Sequence, residues 1–89
     1  KILDLTSNQI TKIENLPRNL EELYLNNNQV NKISLKSPHT SLLHLGLAYN
    51  QLSDEVFIDV LTLFPNIFSL NVSFNNILNP SIQSLVGAK

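Results

Sequence analysis

Eighty-nine residues with 43% hydrophobic and 15% charged content make one soluble unit, too short for two independent cores and too apolar for a disordered chain. Seven acidic side chains against six basic ones leave a formal net charge of -1, so the basic footprint that selects nucleic acid or an anionic membrane is missing and neither is an expected partner. The lack of cysteine removes disulfides, thiolate metal sites and cysteine nucleophiles together, and leans towards a reducing, cytoplasm-like compartment.

Along the chain one pattern returns four times. A shortened copy, Leu3, Leu5, Asn8 and Ile10, comes first. The full spacing L-x-x-L-x-L-x-x-N-x-L follows in Leu20, Leu23, Leu25, Asn28 and Val30, and again in Leu42, Leu45, Leu47, Asn50 and Leu52. Ile67, Leu70, Val72, Asn75 and Ile77 give the fourth copy. The chain opens inside a repeat and contains no methionine, as expected of a piece of a longer polypeptide lacking its caps. The asparagines lie 20, 22 and 25 residues apart, so a constant stretch alternates with a return of growing length.

In each constant stretch the period-2 alternation sends both apolar residues of L-x-L inward and the residue between them outward. Short parallel strands are therefore expected near Leu3 to Leu5, Leu23 to Leu25, Leu45 to Leu47 and Leu70 to Val72. The asparagine turns the chain, and its amide can serve backbone groups of its own and the neighbouring repeat, predicting a ladder of Asn8, Asn28, Asn50 and Asn75. The first two returns carry inward Ile10, Ile13, Leu16 and Val30, Ile33, Leu35, too closely punctuated for a long helix, so short helical turns or irregular chain are expected. The third return predicts a helix over 54–64, capped by Ser53, with Asp54 and Glu55 at its positive end, Val56, Val60, Leu61 and Phe64 inward, and Pro65 after it. The fourth predicts a short helix, with Asn79 as cap, Pro80 in its first turn, Ile82 and Leu85 inward and Gly87 at its end.

These spacings resemble the leucine-rich-repeat family, and N-Q-I-x-K-I-E-N-L-P within 20- and 22-residue repeats is similar to its intracellular phosphatase-regulator class. The segments LPRNLEELYLNNNQV, SLLHLGLAYNQL and LFPNIFSLNVSFNNI, in that order, resemble the leucine-rich repeat-containing 43 family of motile cilia and flagella. The resemblance implies an α/β solenoid, a horseshoe with a parallel sheet on its concave face and short helices or turns on its convex face. It further implies a non-enzymatic scaffold within a ciliary or axonemal complex, bound to other proteins. A phosphatase regulatory subunit and an extracellular receptor ectodomain are the rival readings. Family members more often carry Asp where this chain has Asn71.

Outward residues of the strands form columns that the core does not need, and such columns are where partners bind. Glu22, His44 and Ser69 precede the central apolar residue; Tyr24 and Asn71 lie between the two; Asn26 follows them; Tyr49 and Phe74 come next. Tyr24, His44 and Tyr49 are the leading anchors, because exposed aromatic side chains often dominate interfaces, although they could equally cover adjoining repeats. His39 and His44 fall on a return and a strand, so with no cysteine a metal site is not expected. Two glycines supply no nucleophile elbow or phosphate loop, and no catalytic residue, cofactor or small-molecule substrate is expected.

Overall fold

The structure, a computed structural model, describes residues 1–75 and 77. Seven elements follow in order: β1 (Ile2–Asp4), β2 (Lys12–Ile13), β3 (Glu22–Tyr24), β4 (Lys32–Ile33), β5 (His44–Gly46), α1 (Asp54–Leu63) and β6 (Ser69–Asn71). The strands β1, β3, β5 and β6 form one parallel sheet in that order, with Leu3, Leu23, Leu45 and Leu70 in register. The assigned strands begin one residue before the expected segments. The ladder nonetheless runs on past them, since Leu5, Leu25 and Leu47 donate their N–H groups to the carbonyls of Tyr24, Gly46 and Asn71.

The asparagine ladder is present. Oδ1 of Asn28, Asn50 and Asn75 accepts from the backbone N–H of Ile10, Val30 and Leu52, each in the preceding repeat. Their Nδ2 groups donate both to the last inward carbonyl of their own strand stretch, Leu25, Leu47 and Val72, and to that of the repeat before, Leu5, Leu25 and Leu47. A single amide thereby satisfies groups on two turns of chain that burial would otherwise orphan.

The returns correct two expectations. In the first two, the chain is neither helical nor irregular throughout: β2 and β4 pair in parallel, Lys12 with Lys32 and Ile13 with Ile33. Successive repeats of similar length bring these segments alongside each other, and β-branched Ile13 and Ile33 fit the extended backbone. In α1 the Ser53 hydroxyl accepts from the Val56 N–H, as the sequence predicts, but the buried face is Phe57, Val60 and Phe64, and Leu61 is exposed. Positions 57, 60 and 64 share one helical stripe, and the larger Phe57 rather than Leu61 takes the core position. The expected helix from Asn79 lies outside the described residues.

One core runs through the repeats, formed by Leu20, Leu23, Leu25, Leu42, Leu45 and Leu47 with the inward residues of the returns. Each fully buried Leu or Val side chain contributes roughly 1.5–3 kcal/mol. The outward side of the sheet is left to other side chains.

Candidate functional site

Parallel register fixes the outward side chains in rows. Ile2, Glu22, His44 and Ser69 make one row, and Asp4, Tyr24, Gly46 and Asn71 the next. Thr6, Asn26, Ala48 and Ser73 follow them in sequence. Of the proposed binding residues, Tyr49, Ser69, Asn71 and Phe74 are exposed, whereas Glu22, Tyr24, Asn26 and His44 are half-buried.

The half-buried members are held by their neighbours. The Tyr24 hydroxyl donates to Glu22 Oε1 at 2.6 Å. That bond to the carboxylate raises the Tyr24 pKa, reinforced by desolvation and the nearby charges of Glu22 and Asp4. Asn26 Oδ1 accepts from the Ala48 N–H at 2.9 Å. Gly46 makes room for both, because a Cβ there would lie 2.9 Å from the Asn26 amide and 3.1 Å from the Tyr24 ring. The Asp4 carboxyl is held below its ordinary range by the hydroxyl and then the backbone amide of Thr6.

Next to the asparagine ladder lies a row with unusual backbone. Ser7, Asn27, Tyr49 and Phe74 all adopt left-handed conformations, with φ of 63°, 59°, 58° and 59°. Asparagine suits this region; a bulky aromatic residue does not, and the cost is about 1–2 kcal/mol per residue. The row is stitched from repeat to repeat. Asn27 Nδ2 donates to Ser7 Oγ at 3.2 Å, and Tyr49 and Phe74 stack with centroids 4.3 Å apart and planes within 5°. Adjacent strands lie about 4.8 Å apart, close to the separation at which rings stack. Both rings remain open to solvent, 55% for Tyr49 and 69% for Phe74.

At the other end of the strands the structure adds a residue that the sequence reading passed over. Phe68 is 80% exposed and meets His44 edge-on at 6.0 Å. The signal was available: Phe68 follows inward Ile67 as Glu21 and Leu43 follow inward Leu20 and Leu42. The sheet face thus carries aromatic side chains at both ends of β5 and β6, with Ser69 and Asn71 between them.

The histidines do not meet as a site. His39 is buried on its return, with Nε2 2.6 Å from the Pro17 carbonyl and its ring 6.2 Å from that of Phe64, while Nδ1 has no hydrogen-bond partner. Among the described residues there is no group of three or more His, Cys, Asp and Glu able to hold a metal ion, and no helix long and apolar enough to cross a membrane.

A family model described as Leucine Rich Repeat matches residues 19–40. This match, together with the parallel sheets and the helix α1 of the described residues, supports a leucine-rich repeat protein of α/β class. No curated protein and no solved structure matches the chain.

Proposed function

We propose that the chain is a non-enzymatic protein-binding module whose partner lies across the outward face of the β1-β3-β5-β6 sheet, with Tyr49 and Phe74 as its anchor. The observation that carries this reading is the exposed stack on strained backbone. Folding alone would favour Gly or Asn at such φ values, so aromatic rings placed there and left in water violate a local rule that function can explain. Their large flat faces need little ordering to bind, which suits them to a hot spot. His44, Phe68, Ser69 and Asn71 extend the same surface along the strands, and Glu22, Tyr24 and Asn26 continue it towards β1.

In this reading the repeats form part of a horseshoe and the sheet lines its concave side. The resemblance of three segments to a ciliary family supports a setting in the cytoplasm of a cilium or flagellum, within an axonemal assembly. The test is recovery of proteins from an extract of ciliated cells on the immobilised chain. Tyr49→Ala combined with Phe74→Ala is compared with Ile58→Ala combined with Asp59→Lys on exposed positions of α1. Loss of retained proteins with the sheet-face pair alone is the expected result. Equal recovery on all chains would discard the site, and loss confined to the α1 pair would move it to the helix.

A further inference from the structure

The first two returns enclose a recess of about 250 Å³ that the sheet-face reading does not use. Half-buried Leu16 and Leu35, packed against the core, and buried His39 contribute to its lining. Its polar lining is Asn15, Arg18, Ser34, Lys36 and Ser37, and no carboxylate lines it. Lys12, by contrast, faces Glu14 at 3.5 Å. Arg18 and Lys36 have no such partner among the described residues. The surrounding backbone is tied in place, because His39 Nε2 donates to the Pro17 carbonyl, the His39 N–H to the Leu63 carbonyl at 2.7 Å and the Ser34 N–H to the Ile13 carbonyl at 2.8 Å. The recess therefore exists before any ligand arrives, with two unpaired cations and two hydroxyls around an apolar floor.

We propose that this recess receives the phosphoryl group of a phosphorylated serine or threonine on a partner protein. A phosphomonoester carries a charge of about -1.5 to -2 and three strong acceptor oxygens, matching two cations plus hydroxyl donors, where a carboxylate would leave one cation uncompensated. Its volume lies below the roughly 300–1,000 Å³ of pockets that enclose whole small ligands, which fits one group presented by a larger molecule. A lipid surface or a nucleic acid would need a broad basic field, and a chain of net charge -1 does not supply one.

The test is an amide chemical-shift titration of the full chain with a short phosphoserine peptide, with the same peptide carrying serine or glutamate, and with inorganic phosphate. Saturable shifts confined to residues 15–18 and 34–39 are expected for the phosphopeptide. Inorganic phosphate should move the same amides more weakly, the glutamate peptide should bind about tenfold less tightly, and Arg18→Ala and Lys36→Ala should each weaken the phosphopeptide about tenfold. Ser37→Asp, which leaves both cations in place and adds a carboxylate beside them, should abolish binding, and urea midpoints establish that each variant is folded. Scattered or absent shifts, equal binding of the glutamate and phosphoserine peptides, or undiminished binding in folded variants would overturn the proposal. So would co-sedimentation with phosphatidylserine vesicles, lost in the Arg18 and Lys36 variants, without a peptide response.

Discussion

Asn50→Leu is the most searching perturbation of the ladder between repeats. The Asn50 side chain, in a residue 8% exposed, accepts from the Val30 N–H at 2.8 Å. It donates to the carbonyls of Leu25 at 2.9 Å, Leu47 at 3.0 Å and Ala48 at 3.1 Å. Leucine has a similar shape and can make none of these bonds. Each carbonyl keeps another donor: Asn28 for Leu25, Asn75 for Leu47 and the Asn27 N–H for Ala48. The Val30 N–H keeps none among the described residues. One orphaned buried donor costs about 1–3 kcal/mol and three lost bonds to carbonyls that retain a partner add about 0.5–1 kcal/mol each, so a loss of about 2.5–6 kcal/mol is expected. Asn8→Leu is the control, because among the described residues the exposed Asn8 side chain donates only to the Leu5 and Thr6 carbonyls, and its loss should stay under about 1 kcal/mol. Equilibrium urea unfolding measures both, and equal midpoints would refute the ladder argument. Asn50→Asp separates hydrogen bonding from packing. Its carboxylate still accepts from Val30 but turns an oxygen towards three carbonyls, whereas the protonated acid regains a donor. The introduced acid therefore has a folded-state pKa raised above its unfolded value, and its stability deficit should shrink as the pH falls; a deficit independent of pH would count against the explanation.

Leu45→Ala empties a fully apolar position in the central strand and should cost about 2–5 kcal/mol, while Lys32→Ala at the exposed position of β4 should change stability by less than about 0.5 kcal/mol; similar urea midpoints would contradict this placement of the core. Glu22→Gln should lower the Tyr24 pKa, because the carboxylate that accepts from the hydroxyl is its main cause; the raised folded value means a contribution complete below the ordinary tyrosine range and lost as pH rises through it. A carbon-detected titration of the two tyrosines, assigned with Tyr49→Phe, checks this, and an unmoved Tyr24 would sink it. Gly46→Ala should displace the Asn26 amide from the Ala48 N–H at a cost of about 1 kcal/mol, and an unshifted Ala48 amide resonance would show that the space was not limiting.

The repeat was legible because each constant stretch joins three independent signals: period-2 alternation, a fixed asparagine and an apolar residue two positions beyond it. The strand register and the ladder follow directly from that spacing. The pairing of β2 with β4 was less legible, since two-residue strands have no periodicity of their own and exist only because a neighbouring return lies alongside. Phe57 was overlooked for a related reason. Valine and leucine at 56, 60 and 61 fit a helical stripe as well as 57, 60 and 64 do, and only the direction in which α1 meets the core separates the two. On the sheet face, the sequence placed the outward residues but not their partners, so the Tyr24–Glu22 bond and the Phe68–His44 contact appear only in three dimensions.

The change in character between the second and third repeats links core to surface. In the first two, the left-handed positions hold Ser7 and Asn27, small residues joined by a hydrogen bond. In the third and fourth they hold Tyr49 and Phe74, whose backbone strain of about 1–2 kcal/mol each is only partly returned by a stacking gain of about 0.5–1.5 kcal/mol. Among the described residues the return between those two repeats is the one that becomes a helix, and it buries Phe57, Val60 and Phe64. Burial of such side chains contributes roughly 1.5–3 kcal/mol each, more than enough to offset the strain. A longer return with a larger core thus sits where the sheet face carries its least favourable and most exposed residues. Strain can persist where surrounding packing over-determines the backbone, and Tyr49 and Phe74 are flanked in sequence by Leu47, Leu52, Val72 and Ile77, which belong to the same buried core as Phe57 and Val60 of α1.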